Sequence, residues 1–159
     1  MGYTHYWEFK AAPKDLENGA EKWNKAVETI KSGLKAVKEM GIEICNGVGK
    51  DKPIINGKEI IFNGTEKGGL DHETFYIPFN AGGWNFCKTA RKPYDLLVCI
   101  ALLAFKEAFG EDFSYSSDGV TRESIKDKEN LEYWKSIGWE PKIEEEWQTA
   151  YDLYGRLTA

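Results

Sequence analysis

The feature that most limits what this chain can fold into is the run LLVCIALLAF at 96–105, ten residues with no charge and no strong hydrogen-bonding side chain. A bilayer span needs about 20 such residues. This run is half that length, so it reads as a helix buried on most of its faces inside a protein. Pro93 suits the first helical position, where a missing N–H costs nothing, and Gly110 suits the stop. Enough of the remaining chain must be apolar to wrap such a helix. With 42% hydrophobic residues, including six Trp, eight Tyr and eight Phe among 159 residues, it is. The length fits one domain.

The segments that would wrap the helix can be read in order. Residues 3–9 are aromatic and β-branched with polar residues interleaved, and read as a strand. Residues 14–40 read as a long helix, because Trp23, Val27, Ile30, Leu34 and Val37 recur at spacings of three and four. Lysines and Glu28 lie off that stripe, and Gly41 follows as the stop. Further strands are expected at 42–45, 58–62, 72–79 and 84–87. Turns fall at Asn63-Gly64 and 80–83, and the glycine-rich stretch 65–71 reads as an exposed loop. Together 58–87 suggests an antiparallel meander. A last strand at 112–115 is closed by the turn SSDG, 116–119. The final forty residues read as two helices, 124–137 and 143–157, with Trp147, Ala150, Tyr151 and Tyr154 on one face of the second. The expected class is α+β: a small, mostly antiparallel sheet packed with a long N-terminal helix, a buried central helix and C-terminal helices. One domain covers 1–159, with 119–159 as its helical C-terminal extension.

Immediately before the apolar run stands FCKTARKPYD, 86–95, with Lys88, Arg91 and Lys92 in an otherwise acidic chain of net charge −5. A helix N-terminus carries partial positive charge, so exposed cations there cost about 0.3–1 kcal/mol each. An anionic ligand would reverse the sign, meeting N–H groups, the helix dipole and two or three cations together. Arg91 can bind a phosphate bidentately. The competing reading is a solvated loop in which Asp95 neutralises one of the cations. On the first reading Lys88, Arg91 and Lys92 contact phosphate. Thr89 and the N–H groups around Tyr94 add hydrogen bonds. Tyr6, Trp7 and Tyr94 stack on a base, and His5 and His72 bond to ribose or phosphate.

Other chemistries are thinner. His72-Glu73-Thr74 is half of the pattern used by two-histidine phosphodiesterases, which need a second His-x-Ser/Thr unit. The only other histidine, His5, is followed two residues later by Trp7, so the pair is incomplete. His5, His72 and a cysteine are metal-ligand types, but none stands at a ligand spacing, and Cys99 lies inside the apolar run. No metal and no cofactor is expected. The three cysteines, Cys45, Cys87 and Cys99, read as free thiols of a reducing compartment. The opening residues lack a secretory signal, so the cytoplasm is the expected location. The acidic balance argues against duplex nucleic acid as a partner, nothing points to a membrane, and a homo-oligomer stays open.

The strings GYTHYW, HETF, CKTARKPYD and SSDG together resemble a group of small bacteriophage-encoded proteins, largely without assigned function. The resemblance spans Gly2 to Gly119. It implies a phage protein acting in a bacterial cytoplasm, and it brings no catalytic residues. Some small phage proteins sequester the nucleotide second messengers of host defence. That implies non-catalytic binding of a small nucleotide-type anion as the expected function, a counter-defence sponge. A phosphodiesterase-type enzyme using His72 and an inhibitor of a host protein are the alternatives.

Overall fold

The structure is a computed structural model and describes residues 2–159. It is α+β. Strand β1 (Thr4–Phe9) is the centre of a three-stranded antiparallel sheet, flanked by β6 (Gly83–Lys88) and β7 (Phe113–Ser117). Alternation along β1 turns His5, Trp7 and Phe9 inward and leaves Glu8 exposed. The second sheet is built on β4 (Glu59–Gly64). Strands β3 (Ile54–Ile55) and β5 (Phe75–Pro78) pair with its residues 59–62, and β2 (Ile44–Cys45) pairs with Asn63 and Gly64.

The expected meander is corrected in part. The β4–β5 pair is antiparallel, but β6 leaves β5 and pairs with β1, so the chain changes sheets after β5. Asn63-Gly64 is the end of a strand rather than a turn. The buried Asn63 side chain donates to His72 O at 2.9 Å and accepts from His72 N at 3.0 Å, which pins the loop before β5.

Helix α1 (Gly19–Glu39) starts later than its apolar spacing suggests. Pro13–Asp15 forms a short 3-10 turn, and Asn18 at φ 53° breaks the helical path. The helix ends as expected at Gly41, φ 85°. There Gly41 N donates to Lys38 O and Ile42 N donates to Val37 O, a Schellman closure. The apolar run forms α2 (Asp95–Phe109), with every residue from Asp95 to Phe105 buried. The helix begins at Asp95, two residues beyond the position that Pro93 suggested. Helices α1 and α2 cross at Gly33, where a Cβ would lie 2.8 Å from Ile100 Cγ2. Helix α2 therefore lies between the inner face of the β6-β1-β7 sheet and a cover of α1 and α5 (Glu145–Leu157).

The C-terminal segment holds three helices where two were expected. α3 (Arg122–Lys126) and α4 (Lys128–Ser136) part at the extended Asp127, whose carboxylate caps Asn130 N at 3.0 Å. Neither α3 nor α4 buries a residue. α5 buries Trp147, Ala150, Tyr151 and Leu153 in the main core, with Tyr154 only partly covered. Among the described residues no helix is long and apolar enough to cross a membrane.

Candidate functional site

The N-terminal end of α2 holds a buried polar cluster. Asp95 is the first residue of α2, Cys99 follows one turn later on the same face, His5 comes from β1, and Thr89 from the loop between β6 and α2. All four are buried. Asp95 Oδ1 lies 2.6 Å from His5 Nε2 and accepts from the Thr89 hydroxyl. Its Oδ2 accepts from Cys99 Sγ at 3.5 Å, and Cys99 Sγ lies 3.8 Å from His5 Nε2. Burial pushes the Asp95 carboxyl up, but the hydrogen bond and charge of His5, with the Thr89 and Cys99 hydrogen bonds, outweigh it and hold the group below the usual carboxylate value. Burial, reinforced by Asp95, pushes the Cys99 thiol well up. This is not an activated cysteine. Nucleophile activation needs a base that faces the thiol with one ring nitrogen while the other is held by its orienting group. Here Asp95 and Cys99 face the same nitrogen of His5.

Beside this cluster the 88–95 loop is bent through two left-handed non-glycine residues, Ala90 at φ 52° and Arg91 at φ 59°. The bend carries the Arg91 guanidinium over the Tyr3 ring, 4.0 Å from its centroid. There it donates to Glu144 and Glu146 at 2.6 Å each. A cavity of about 310 Å³ opens between this loop and the first turn of α5, lined by Arg91, Lys92, Asp95, Leu96, Glu145, Glu146 and Thr149, with Pro93 at its edge. Among the described residues, the buried side-chain polar atoms with no hydrogen-bond partner are Tyr3 Oη, His5 Nδ1, Glu146 Oε2 and Trp147 Nε1. They fall in one neighbourhood. The His5 ring sits edge-on to Tyr3 at 5.1 Å and to Trp147 at 5.3 Å, and Glu146 precedes Trp147.

No family model, curated protein or solved structure matches the chain.

The expected site residues divide. His5, Thr89, Arg91 and Lys92 come together at or beside the cavity. Arg91 spends its donors on two internal carboxylates, so Glu144 and Glu146 stand where an anion was expected. Asp95 turns inward to His5 and does not neutralise the loop cations. Lys88 is exposed at the end of β6, where its backbone N–H donates to the Glu73 carboxylate at 2.7 Å. Two of the stacking rings are inside the core: Trp7 packs on Phe75 at 5.0 Å, and the buried Tyr94 donates to Glu73 O at 2.5 Å. Tyr6 lies on the outer face of the sheet, stacked with Trp84 at 6.1 Å and donating to Asp118 at 2.9 Å. His72 is exposed on the loop before β5. Sequence reasoning missed Tyr3, Asp95, Cys99 and the Glu144–Trp147 stretch as site residues. One signal was available: Asp95 and Cys99 are four residues apart, on one face of a helix whose next ten residues after Asp95 carry no charge.

Proposed function

We propose that the protein binds and holds, without chemically changing it, a small nucleotide-type ligand in the cavity between the 88–95 loop and the start of α5. The observation that carries this reading is the cavity lining: Lys92, Glu145 and Glu146 face it, and Glu146 Oε2 is buried there without a hydrogen-bond partner among the described residues. Such an atom costs about 1–3 kcal/mol when left unsatisfied, a cost that a polar ligand in the cavity can relieve. The rim chemistry supports the ligand class. Lys92, which unlike Arg91 makes no internal ion pair among the described residues, suits a phosphate. Glu145 and Glu146 suit the ring N–H and exocyclic amine of a base such as guanine, which pairs with a carboxylate through two donors. The cavity volume stands at the lower end of the range for ligand pockets, about 300–1,000 Å³, which favours a mononucleotide over a larger ligand. Non-catalytic holding fits the buried thiol and the His5 ring already engaged by Asp95. Taken with the resemblance to phage-encoded proteins, the role is sequestration of a nucleotide signal of host defence in the bacterial cytoplasm.

Calorimetry against a panel of purine and pyrimidine mononucleotides, cyclic mono- and dinucleotides and ADP-ribose derivatives tests the reading. We expect one ligand to bind more tightly than about 100 μM, roughly −5.5 kcal/mol, and to be recovered intact after heat denaturation. Lys92→Glu should weaken it at least tenfold. Failure of the whole panel removes the proposal. A chemically altered ligand, with turnover lost in His72→Ala, would replace it with the phosphodiesterase reading.

A further inference from the structure

We propose that His5, Asp95 and Cys99 form a binding site for a divalent, thiol-preferring metal ion of the zinc class. This inference does not depend on the nucleotide reading. The three donor atoms lie within 4.8 Å of one another, and all three residues are buried. Tetrahedral zinc, with Zn–N of about 2.0–2.1 Å and Zn–S of about 2.3 Å, places its nitrogen and sulfur ligands about 3.5 Å apart. Cys99 Sγ is 3.8 Å from His5 Nε2 and 3.5 Å from Asp95 Oδ2. The His5 Nε2–Asp95 Oδ1 separation, 2.6 Å, is shorter, and it opens by about 0.7 Å when the ion replaces the shared proton.

The balance of charge points the same way. The cluster buries the Asp95 carboxyl with His5, Thr89 and Cys99 as its partners. A divalent cation that takes Asp95 as carboxylate, Cys99 as thiolate and His5 as neutral imidazole makes the buried set neutral, so no net charge is left in the interior. The proton on Cys99 leaves to solvent and the proton on His5 Nε2 moves to Nδ1, so Nε2 presents its lone pair to the metal. A thiolate, an imidazole and a carboxylate select zinc over calcium or magnesium, which prefer all-oxygen shells. Thr89 donates to Asp95 and so orients a metal ligand from outside the donor set. Asp95 also lines the cavity, which supplies the entry path and leaves the fourth position to water or to a cavity ligand.

Cobalt(II) reports on this site directly. The full chain carrying Cys45→Ser and Cys87→Ser keeps Cys99 as its only thiol. Both replaced thiols are buried and free, and a serine at 87 can still donate to Glu73 O as the thiol does. We expect one equivalent of cobalt(II) to give a thiolate-to-metal charge-transfer band and ligand-field bands of tetrahedral strength, both removed by one equivalent of zinc. Adding Cys99→Ser should abolish the charge-transfer band, and Thr89→Ala should weaken zinc binding about 10–100-fold. Because the first measurement needs only the folded double variant, it stands even if Cys99→Ser fails to fold. Absence of the charge-transfer band in the double variant, or its survival in Cys99→Ser, overturns the proposal.

Discussion

At its C-terminal end α2 meets Phe9 of β1 and Phe113 of β7; at its N-terminal end it meets His5 of the same β1. Phe105 packs on Phe9, Trp23 and Phe113 at ring separations of 5.6, 5.1 and 5.8 Å, and Phe9 meets Phe109 edge-on at 5.3 Å. The one polar group in that cluster, the Trp23 indole N–H, donates to Asn56 O at 2.9 Å, and edge-to-face pairs add about 0.5–1.5 kcal/mol beyond their buried area. Twelve ångströms or so along the same helix, by the rise of one turn after another, the side chains are Asp95, Cys99 and His5. There the burial is just as complete, but a carboxylate is buried, polar atoms lack partners and two residues sit in left-handed backbone. One strand and one helix thus provide both ends, and only the chemistry of the inward residues differs. The aromatic end supplies stability, and the polar end uses it to hold an arrangement that would not persist alone.

The largest test of this contrast is Phe105→Ala. It should destabilise the fold by about 3–5 kcal/mol, read as a drop in the urea midpoint. A cost below about 1 kcal/mol would mean that the aromatic end does not carry the core. Asp95→Asn should cost less, about 1–3 kcal/mol, because the amide oxygen can still accept a hydrogen bond while its NH₂ faces donors. The substitution also changes the pH response. The folded Asp95 carboxyl lies below its unfolded value. Its stabilisation is therefore complete above the unfolded value, about pH 4, and is lost as the pH falls through the lower folded value. The wild-type urea midpoint should fall more steeply below about pH 4 than that of Asp95→Asn. Parallel profiles would count against a buried ionised carboxylate.

The two ends also differ in how far they could be read from sequence. The apolar run, its stop near Gly110 and the stripe of α1 were legible, because a buried helix leaves a periodic pattern that needs no knowledge of its neighbours. The α+β class followed. The polar end was only half legible. FCKTARKPYD marked the right loop, but the direction of its side chains depends on two left-handed residues, Ala90 and Arg91, at positions where glycine would have been the signal. Asp95 looked like a surface counter-ion and Cys99 like filler, since neither shows that His5, ninety residues away, arrives between them. The contribution of α5 was hidden for the same reason. Acids such as Glu144 and Glu146 are common at the start of a helix, and only the fold brings these two to Arg91.

Arg91 gives the next smaller effect. It is about half exposed, so its two ion pairs are screened, and its place over the Tyr3 ring adds about 0.5–1 kcal/mol. Arg91→Ala should lower stability by about 1 kcal/mol or less. It should raise amide exchange in the first turn of α5 while leaving that around Phe105 unchanged. Exchange that rises equally at both ends would erase the distinction between them.

The smallest effect has the opposite sign and locates the strain. An alanine held in left-handed backbone costs about 1–2 kcal/mol relative to the right-handed form, whereas glycine adopts that conformation freely but loses more entropy on folding, about 0.5–1 kcal/mol. Ala90 is at φ 52°. The two terms leave Ala90→Gly stabilising by up to about 1 kcal/mol in the ligand-free protein. The same change in a right-handed stretch of α2, Ala101→Gly, should destabilise, because the helix gains nothing from the added freedom. If the strain at Ala90 serves to hold Arg91 and Thr89 in place for a ligand, Ala90→Gly should raise the urea midpoint and weaken ligand binding together. A higher midpoint with unchanged affinity would make the left-handed pair a by-product of chain routing. A lower midpoint would mean that the surrounding contacts, and not the backbone, set the conformation of the loop.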